Sequence, residues 1–409
     1  MRQFLLIGVL SAACSGQPDD DVIAARQLPP AIKADAAATA AANNQFAFEL
    51  YSKLPPTGNT VLSPFSISTA MAMLDAGAAG ATDQELRTAL HFALPGERMH
   101  AAYGALLASL QVGRDHGAYT LSTANRLFGQ QGFAFLPSFL TLTQRDYGAS
   151  LMPVDFRGNT EAARGTVNAW VAGQTDHKIP ELFQVGDLDP STVLTLVNAI
   201  VFKGRWGLPF DRARTADAAF TLADGSVVQT PMMHAFSAIR MTGFAGAQVA
   251  VLPFAGQDLS MVIVLPSVAS GLAAVEAKLA SVGLPALIDG TAVVFTQKPE
   301  LALPKFSVTQ RLQLVPALAA LDITSPFDAT RADFSAIDGQ RDLYVQRVVH
   351  QAVIAVDEDG AEAAASTGVV IGPTSFPTPF VVDRPFVFLI YDHVTGSILF
   401  LGRVTDPRS

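Results

Sequence analysis

Four runs constrain the fold of this chain more than anything else in it. They are "STVLTLVNAIVFKGRW" (Ser191 to Trp206), "LSMVIVLP" (Leu259 to Pro266), "QAVIAVDE" (Gln351 to Glu358) and "PFVFLIYDHVTGSILFLGRVTD" (Pro385 to Asp406). Each is crowded with β-branched and aromatic side chains, which lose rotamer freedom in a helix and pack well on a pleated surface. Each therefore predicts strand, and the last divides into two strands at "HVTGS", where Gly396 supplies the turn. Upstream, "ANNQFAFELYSKL" (Ala42 to Leu54) and "SISTAMAMLDAGAAGATDQELRTAL" (Ser66 to Leu90) carry apolar residues at helical spacing and predict packed helices. Helices gather in the first half and strands dominate the second. That is an α+β arrangement without the regular alternation of a doubly wound fold. No internal repeat or interior low-complexity break marks a second domain.

Composition narrows the function. With 409 residues, 50% hydrophobic and 15% charged, the chain can bury a large core. A net charge of −9 without a dense Lys/Arg cluster argues against a nucleic-acid partner. Few Lys or Arg fall between Gly96 and Gly117, so no polyanion activator is expected, nor any other cofactor. The chain lacks G-x-S-x-G, H-E-x-x-H, a P-loop and a dinucleotide fingerprint. "GAAGAT" (Gly77 to Thr82) has no lysine and reads as a helix end. The seven histidines show no metal-ligand spacing, so neither a metal nor a catalytic residue is expected.

Cys14 is the one cysteine, which rules out an intrachain disulfide. It follows Met1-Arg2, an apolar run from Phe4 to Leu10, and Ser11-Ala12-Ala13; polar "SGQPDDD" comes after it. A positive end, a short apolar segment and small residues mark an export signal too short to span a bilayer. The segment resembles a bacterial lipoprotein signal, which implies lipidation at Cys14, although Ser11 stands where such signals carry a large aliphatic residue. Ser15 implies an outer-membrane destination in a Gram-negative envelope; the alternative is ordinary secretion. Residues 1–14 are thus expected to be signal, 15–40 a flexible tether, and 41–409 one domain.

Seven collinear segments carry a resemblance that covers nearly everything from Ala42 to Pro407. They are "NTVLSPFSISTAMAMLDAGAAGAT" (Asn59 to Thr82), "VNAWVAGQTDHKIPELF" (Val167 to Phe183), "LVNAIVFKGRWGLPFD" (Leu196 to Asp211), "LPKFSV" (Leu303 to Val308), "ADFSAI" (Ala332 to Ile337), "VVHQAVIAVDEDGAEAAAST" (Val348 to Thr367) and "RPFVFLIYDHVTGSILFLGRVTDP" (Arg384 to Pro407). In order and spacing they resemble the landmarks of the serpins. The resemblance implies a helix-rich first half packed on a large central mixed sheet, further sheets, and an exposed reactive-centre loop at about residues 359–380. It also implies a monomer that inhibits a serine protease through a covalent acyl complex and is not an enzyme.

The same resemblance assigns roles. Glu358, Gly360, Ala361, Ala363, Ala365 and Thr367 match the loop hinge. Ser63, Ser66, Asn198 and His350 match the polar cluster beneath the sheet where strands part, and Trp206, beside Gly204, matches the end where insertion begins. Family spacings counted forward from Glu358 and back from Phe386 converge on a scissile bond between Thr374 and Ser375. A small β-branched Thr374 suits the narrow slot of elastase-type or subtilisin-like enzymes.

The residues agree with that reading independently. "VDEDGAEAAASTG" is rich in helix formers, yet glycines bracket it and β-branched residues follow. On a strand, Ala361, Ala363, Ala365, Thr367, Val369 and Ile371 share one face. Small side chains there let a strand slip between paired neighbours, where a bulky or charged one would stall it. Serpin loop insertion is itself a standard example of such a switch. The competing functions are a non-inhibitory serpin acting as a binding or carrier protein, and a lipid-anchored hydrolase. The first would be expected to carry bulky or charged residues at Ala361, Ala363 or Ala365; the second needs a nucleophile.

Overall fold

The structure is a computed structural model that describes residues 26–115, 119–207, 209–236, 239–282, 293–294, 299–358 and 379–408. Its longer helices are α1 (Lys33–Ser52), α2 (Pro64–Asp75), α3 (Gly80–Ala89), α4 (Gly96–Asp115), α5 (Pro137–Tyr147), α6 (Thr160–Gln174) and α7 (Leu272–Val282). The strands are β1 (Thr60–Leu62), β2 (Tyr119–Gln130), β3 (Leu151–Val154), β4 (Leu194–Gly204), β5 (Ala216–Thr221), β6 (Val227–Phe236), β7 (Arg240–Phe244) and β8 (Ala247–Pro253). They continue as β9 (Leu259–Pro266), β10 (Val293–Val294), β11 (Glu300–Pro304), β12 (Phe306–Gln313), β13 (Val349–Val356), β14 (Phe380–Val381), β15 (Phe386–Asp392) and β16 (Ser397–Val404). The expected pairing across "HVTGS" is present: β15 and β16 are antiparallel, with Gly396 at φ +79° in the turn.

Three sheets result. The five-stranded central sheet has the order β12-β13-β4-β2-β3, a seven-stranded sheet the order β1-β16-β15-β9-β8-β7-β10, and a four-stranded sheet the order β14-β11-β6-β5. The seven-stranded sheet lies behind the central one, and the layer between them is aromatic. Phe202 meets Phe254 at 5.2 Å and Phe400 at 5.7 Å, while Phe306 meets Phe386 at 5.8 Å and Phe388 at 5.6 Å. Helix α6 covers the other face of the central sheet through Val167 and Val171, in one core with Phe128, Val197 and Val353. Trp170 on α6 stacks edge-on to Phe128 at 5.6 Å, a packing role.

Helix α2 is buried along its whole length, an uncommon state for a helix so rich in Ser and Thr. Ser63 caps it and Pro64 opens it. The helical spacing read from Ser66 to Leu90 belongs to two helices, α2 and α3, separated by a bend. A Cβ at Gly77 would lie 2.3 Å from Ile337 Cγ1, so only glycine allows the chain to turn this close.

The tether expected for residues 15–40 is corrected over its second half. Helix α1 begins at Lys33, and Ala36 and Ala40 are buried on the same face as Asn43, Ala47 and Leu50. The folded body reaches back to Arg26, which is itself buried. Small alanines fill a tight helix contact without leaving a hydrophobic stripe to read, and a lone arginine in a polar run gives no sign of its partners. Cys14, the hinge from Gly360 to Thr367, and Thr374-Ser375 lie outside the described residues.

Candidate functional site

The central sheet carries a seam. Strands β4 and β13 run parallel and pair over four positions only, from Ala199↔Gln351 to Phe202↔Ile354. On their outer edges the same strands are paired far more fully: β4 with β2 from Gly204 to Leu194, and β13 with β12 from Val356 to Val349. Parallel pairing is also slightly weaker per residue. Among β12, β13, β4 and β2 the pairing is therefore weakest at this seam, and only the edge strand β3 joins the sheet by a parallel ladder as short.

Asn198 and His350 each sit one residue beyond the last seam pair, where the ladder stops. A cavity of about 250 Å³ opens there, lined by Leu196 and Asn198 of β4, Val349 and His350 of β13, Met71 of α2, and Phe183. The start of α2 closes it from behind. Ser63 N–H donates to His350 Nε2 at 3.0 Å, Ser63 Oγ donates to the Leu399 carbonyl at 2.6 Å and accepts from Ser66 N–H at 3.2 Å. Ser66 Oγ donates to Asn198 Oδ1 at 2.5 Å, and Asn198 Nδ2 donates to Asn125 Oδ1 on β2 at 2.8 Å. The four residues singled out in sequence thus form one chain of hydrogen bonds across both edges of the seam. Such a chain can change partners without stranding a buried group.

Because His350 Nε2 accepts, its proton sits on Nδ1, which has no partner among the described residues. Burial holds the ring neutral, down to about 3 from an ordinary 6.5. His100, buried against Tyr147, is likewise lowered to about 4, and burial lowers His393 too. Burial raises the Asp75 carboxyl from 3.8 to about 7, against the pull of Arg87. The histidines contribute stability that is present above pH 6.5 and is lost as pH falls toward their folded values. Asp75 acts in the opposite sense: its contribution is present below 3.8 and is lost as pH rises through about 7. Burial also raises the carboxyls of Asp338 and Asp392, so three histidines and three carboxyls pull stability in opposite senses as the pH changes. Thermal melts of the intact protein against pH check the two senses, and Asp75→Asn should remove the part of the stability that is lost between pH 3.8 and about 7.

At the other end of the seam, Trp206 Nε1 donates to the Asp357 carbonyl at 2.9 Å, tying β13's last turn to β4's. Its ring stacks on Phe254 at 4.8 Å and 17°. Gly204 makes room: a Cβ there would lie 2.5 Å from Phe254 Cδ1. Glu358, which ends the described segment containing β13, accepts from Lys305 Nζ at 2.7 Å. Burial would raise its carboxyl, but hydrogen bonds from Lys305, its own backbone N–H and Thr215, with the Lys305 charge, together outweigh that, and the group lies below its ordinary value. Lys203 Nζ stands 3.6 Å from Asp357 beside it.

Other residues at the seam have no role assigned from the sequence. Asn168 of α6 accepts from Leu182 and Phe183 N–H and donates to the Phe183 carbonyl, fastening the segment after α6 over the lower seam. Arg311 of β12 pairs with Asp187 of that segment, as does Arg347 at 3.5 Å. Their partners are too distant along the chain for any local spacing to announce them. Nothing at the seam is arranged for catalysis. Ser260 Oγ and His393 Nε2 do lie 2.8 Å apart in the rear sheet, but Ser260 is 2% exposed and cannot meet a substrate. No group of three or more His, Cys, Asp or Glu residues suited to a metal occurs among the described residues.

Comparison with known proteins agrees with this architecture. The family profile described as "Serpin (serine protease inhibitor)" matches residues 41–407. Leukocyte elastase inhibitor A of Mus musculus is 39% identical over 382 residues, covering 90% of this chain and 98% of its own length. The human leukocyte elastase inhibitor is 38% identical with the same coverage of both. Among solved structures, a serpin of the insect Tenebrio molitor is 32% identical with a TM-score of 0.79, over 90% of this chain and 98% of its own. An Arabidopsis serpin in its native stressed conformation is 28% identical with a TM-score of 0.81, over 92% and 99%. The fold is the serpin fold, and the chain belongs to the serpin family of serine protease inhibitors.

Proposed function

We propose that this serpin is inhibitory, an irreversible suicide substrate of elastase- or subtilisin-like serine endopeptidases, acylated at Thr374. The seam carries the reading. The loop leaves β13 at Glu358 beside Trp206, so a strand folding back from there runs antiparallel to both β13 and β4. Insertion replaces one short parallel pairing with two antiparallel ladders, and the energy gained is what the intact form withholds behind a barrier. A protease acylated at Thr374 is carried with the strand, about 14 residues at about 3.3 Å each, or some 45 Å. Its active site is pulled apart before water can release it. Ala361, Ala363, Ala365 and Thr367 enter first and are small enough to pass. Glu358, held by Lys305, stays as the fixed end, and Ser63, Ser66, Asn198 and His350 exchange partners as the seam opens.

The relatives named as elastase inhibitors support a protease with a small specificity pocket. The N-terminal signal supports export with a lipid anchor at Cys14, which Cys14→Ala should release from the membrane fraction. The test of inhibition is incubation with an elastase-type and a subtilisin-type protease, followed by denaturing gels and intact-mass analysis. A denaturant-resistant 1:1 adduct and a released peptide beginning at Ser375 are expected. Cleavage without an adduct, and with no gain in heat resistance of the cut protein, would sink the reading.

A further inference from the structure

Arg26 is the first described residue, and its side chain is 1% exposed. Its guanidinium pairs with Asp392 at the end of β15 and stands 3.2 Å from Asp258, just before β9; both carboxylates belong to the rear seven-stranded sheet. It also donates through Nη1 to the Tyr119 hydroxyl at 2.8 Å and to the Ser109 carbonyl of α4 at 3.4 Å. Tyr119 is the first residue of β2 and pairs with Gly204, the last of β4. Its hydroxyl donates to the Leu110 carbonyl at 2.8 Å, so it can only accept from Arg26. One buried guanidinium therefore joins the β2–β4 half of the central sheet to the sheet behind it.

For a strand to enter the seam, β4 must separate from β13 by one further strand spacing, about 4.8 Å. Both halves pack on the rear sheet, β12 through Phe306 against Phe386 and Phe388 and β4 through Phe202 against Phe254 and Phe400. The Arg26 contacts cross the interface between β2 and the rear sheet, so a shift of the β2–β4 half on that sheet must break them. We propose that Arg26 is a clasp between the two sheets that adds to the barrier against strand insertion, a role that rests on the inhibitory reading above. Opening pulls Tyr119 away from a guanidinium that two buried carboxylates hold in place. A segment read as tether thereby acts on the sheet's opening.

The test uses the full chain, cut in its loop by an excess of protease, with insertion followed as the change in Trp fluorescence, since Trp206 stands at the seam. Arg26→Met and Tyr119→Phe are expected to insert about tenfold faster or more, the worth of one charge-assisted buried hydrogen bond. Tyr119→Phe leaves the Arg26 ion pairs intact, so it decides the matter if Arg26→Met fails to fold. Tyr51→Phe serves as the control, because it loses a buried contact to Glu276 at 2.5 Å away from β2. It should lower the melting point without changing the insertion rate. Parental rates in Tyr119→Phe, alongside a cut parent that gains heat resistance, would overturn the clasp. A cut parent that gains none overturns the inhibitory reading instead, and the clasp with it.

Discussion

Replacing Ala361 with arginine is expected to turn the inhibitor into a substrate that is cut and released. Trapping is a race between strand insertion and hydrolysis of the acyl-enzyme. On the proposed mechanism, Ala361 heads the face that would enter the sheet. A guanidinium forced in there without a partner costs several kcal/mol, and each 1.36 kcal/mol slows insertion about tenfold. Hydrolysis at about 1–1000 per second then wins nearly every time. On gels the adduct band should disappear while the cut form accumulates, and Ala361→Ser should still trap. An Ala361→Arg protein that forms the adduct as well as its parent does would refute insertion as the mechanism.

The second large effect is expected at Ser63. Alanine there removes the cap of α2, worth about 1 kcal/mol, and strands the buried Leu399 carbonyl at about 1–3 kcal/mol more. A loss of roughly 2–4 kcal/mol in urea unfolding of the intact form should follow. Because Ser63 also lies in the hydrogen-bond chain through His350 and Asn198, the same variant should convert on warming to a heat-resistant form earlier than the parent does. Ser63→Thr keeps the hydroxyl and should lose much less. If Ser63→Ala loses stability no faster than Ser63→Thr, the cluster is ordinary packing.

Much of this architecture is legible in the sequence because its strands are dense in β-branched and aromatic residues and its hairpin turn needs Gly396. Helix α1 is harder: Ala36 and Ala40 pack closely because they are small, and for the same reason they leave no stripe to detect. The site is legible only through family resemblance. Ser63, Ser66, Asn198 and His350 are polar residues spread over most of the chain, and no periodicity links them. Asn168 falls inside one of the family-like segments without a role being assigned to it, and the Arg311–Asp187 pair and Arg26 escape even the resemblance, since each is defined by a partner brought close only by folding. The seam is a property of pairing, and side-chain patterns do not encode where a ladder stops.

That four-pair seam has a further consequence. Its edges specify polarity, spacing and side-chain size, but not which molecule supplies the strand. On the proposed mechanism, the segment that follows Glu358 would compete for the seam at an effective concentration on the order of millimolar, as short tethers do. A loop from a second copy is chemically equivalent and is disfavoured only by dilution. Fidelity in this fold is therefore a matter of concentration, and copies confined to a surface work closer to its limit than copies free in solution.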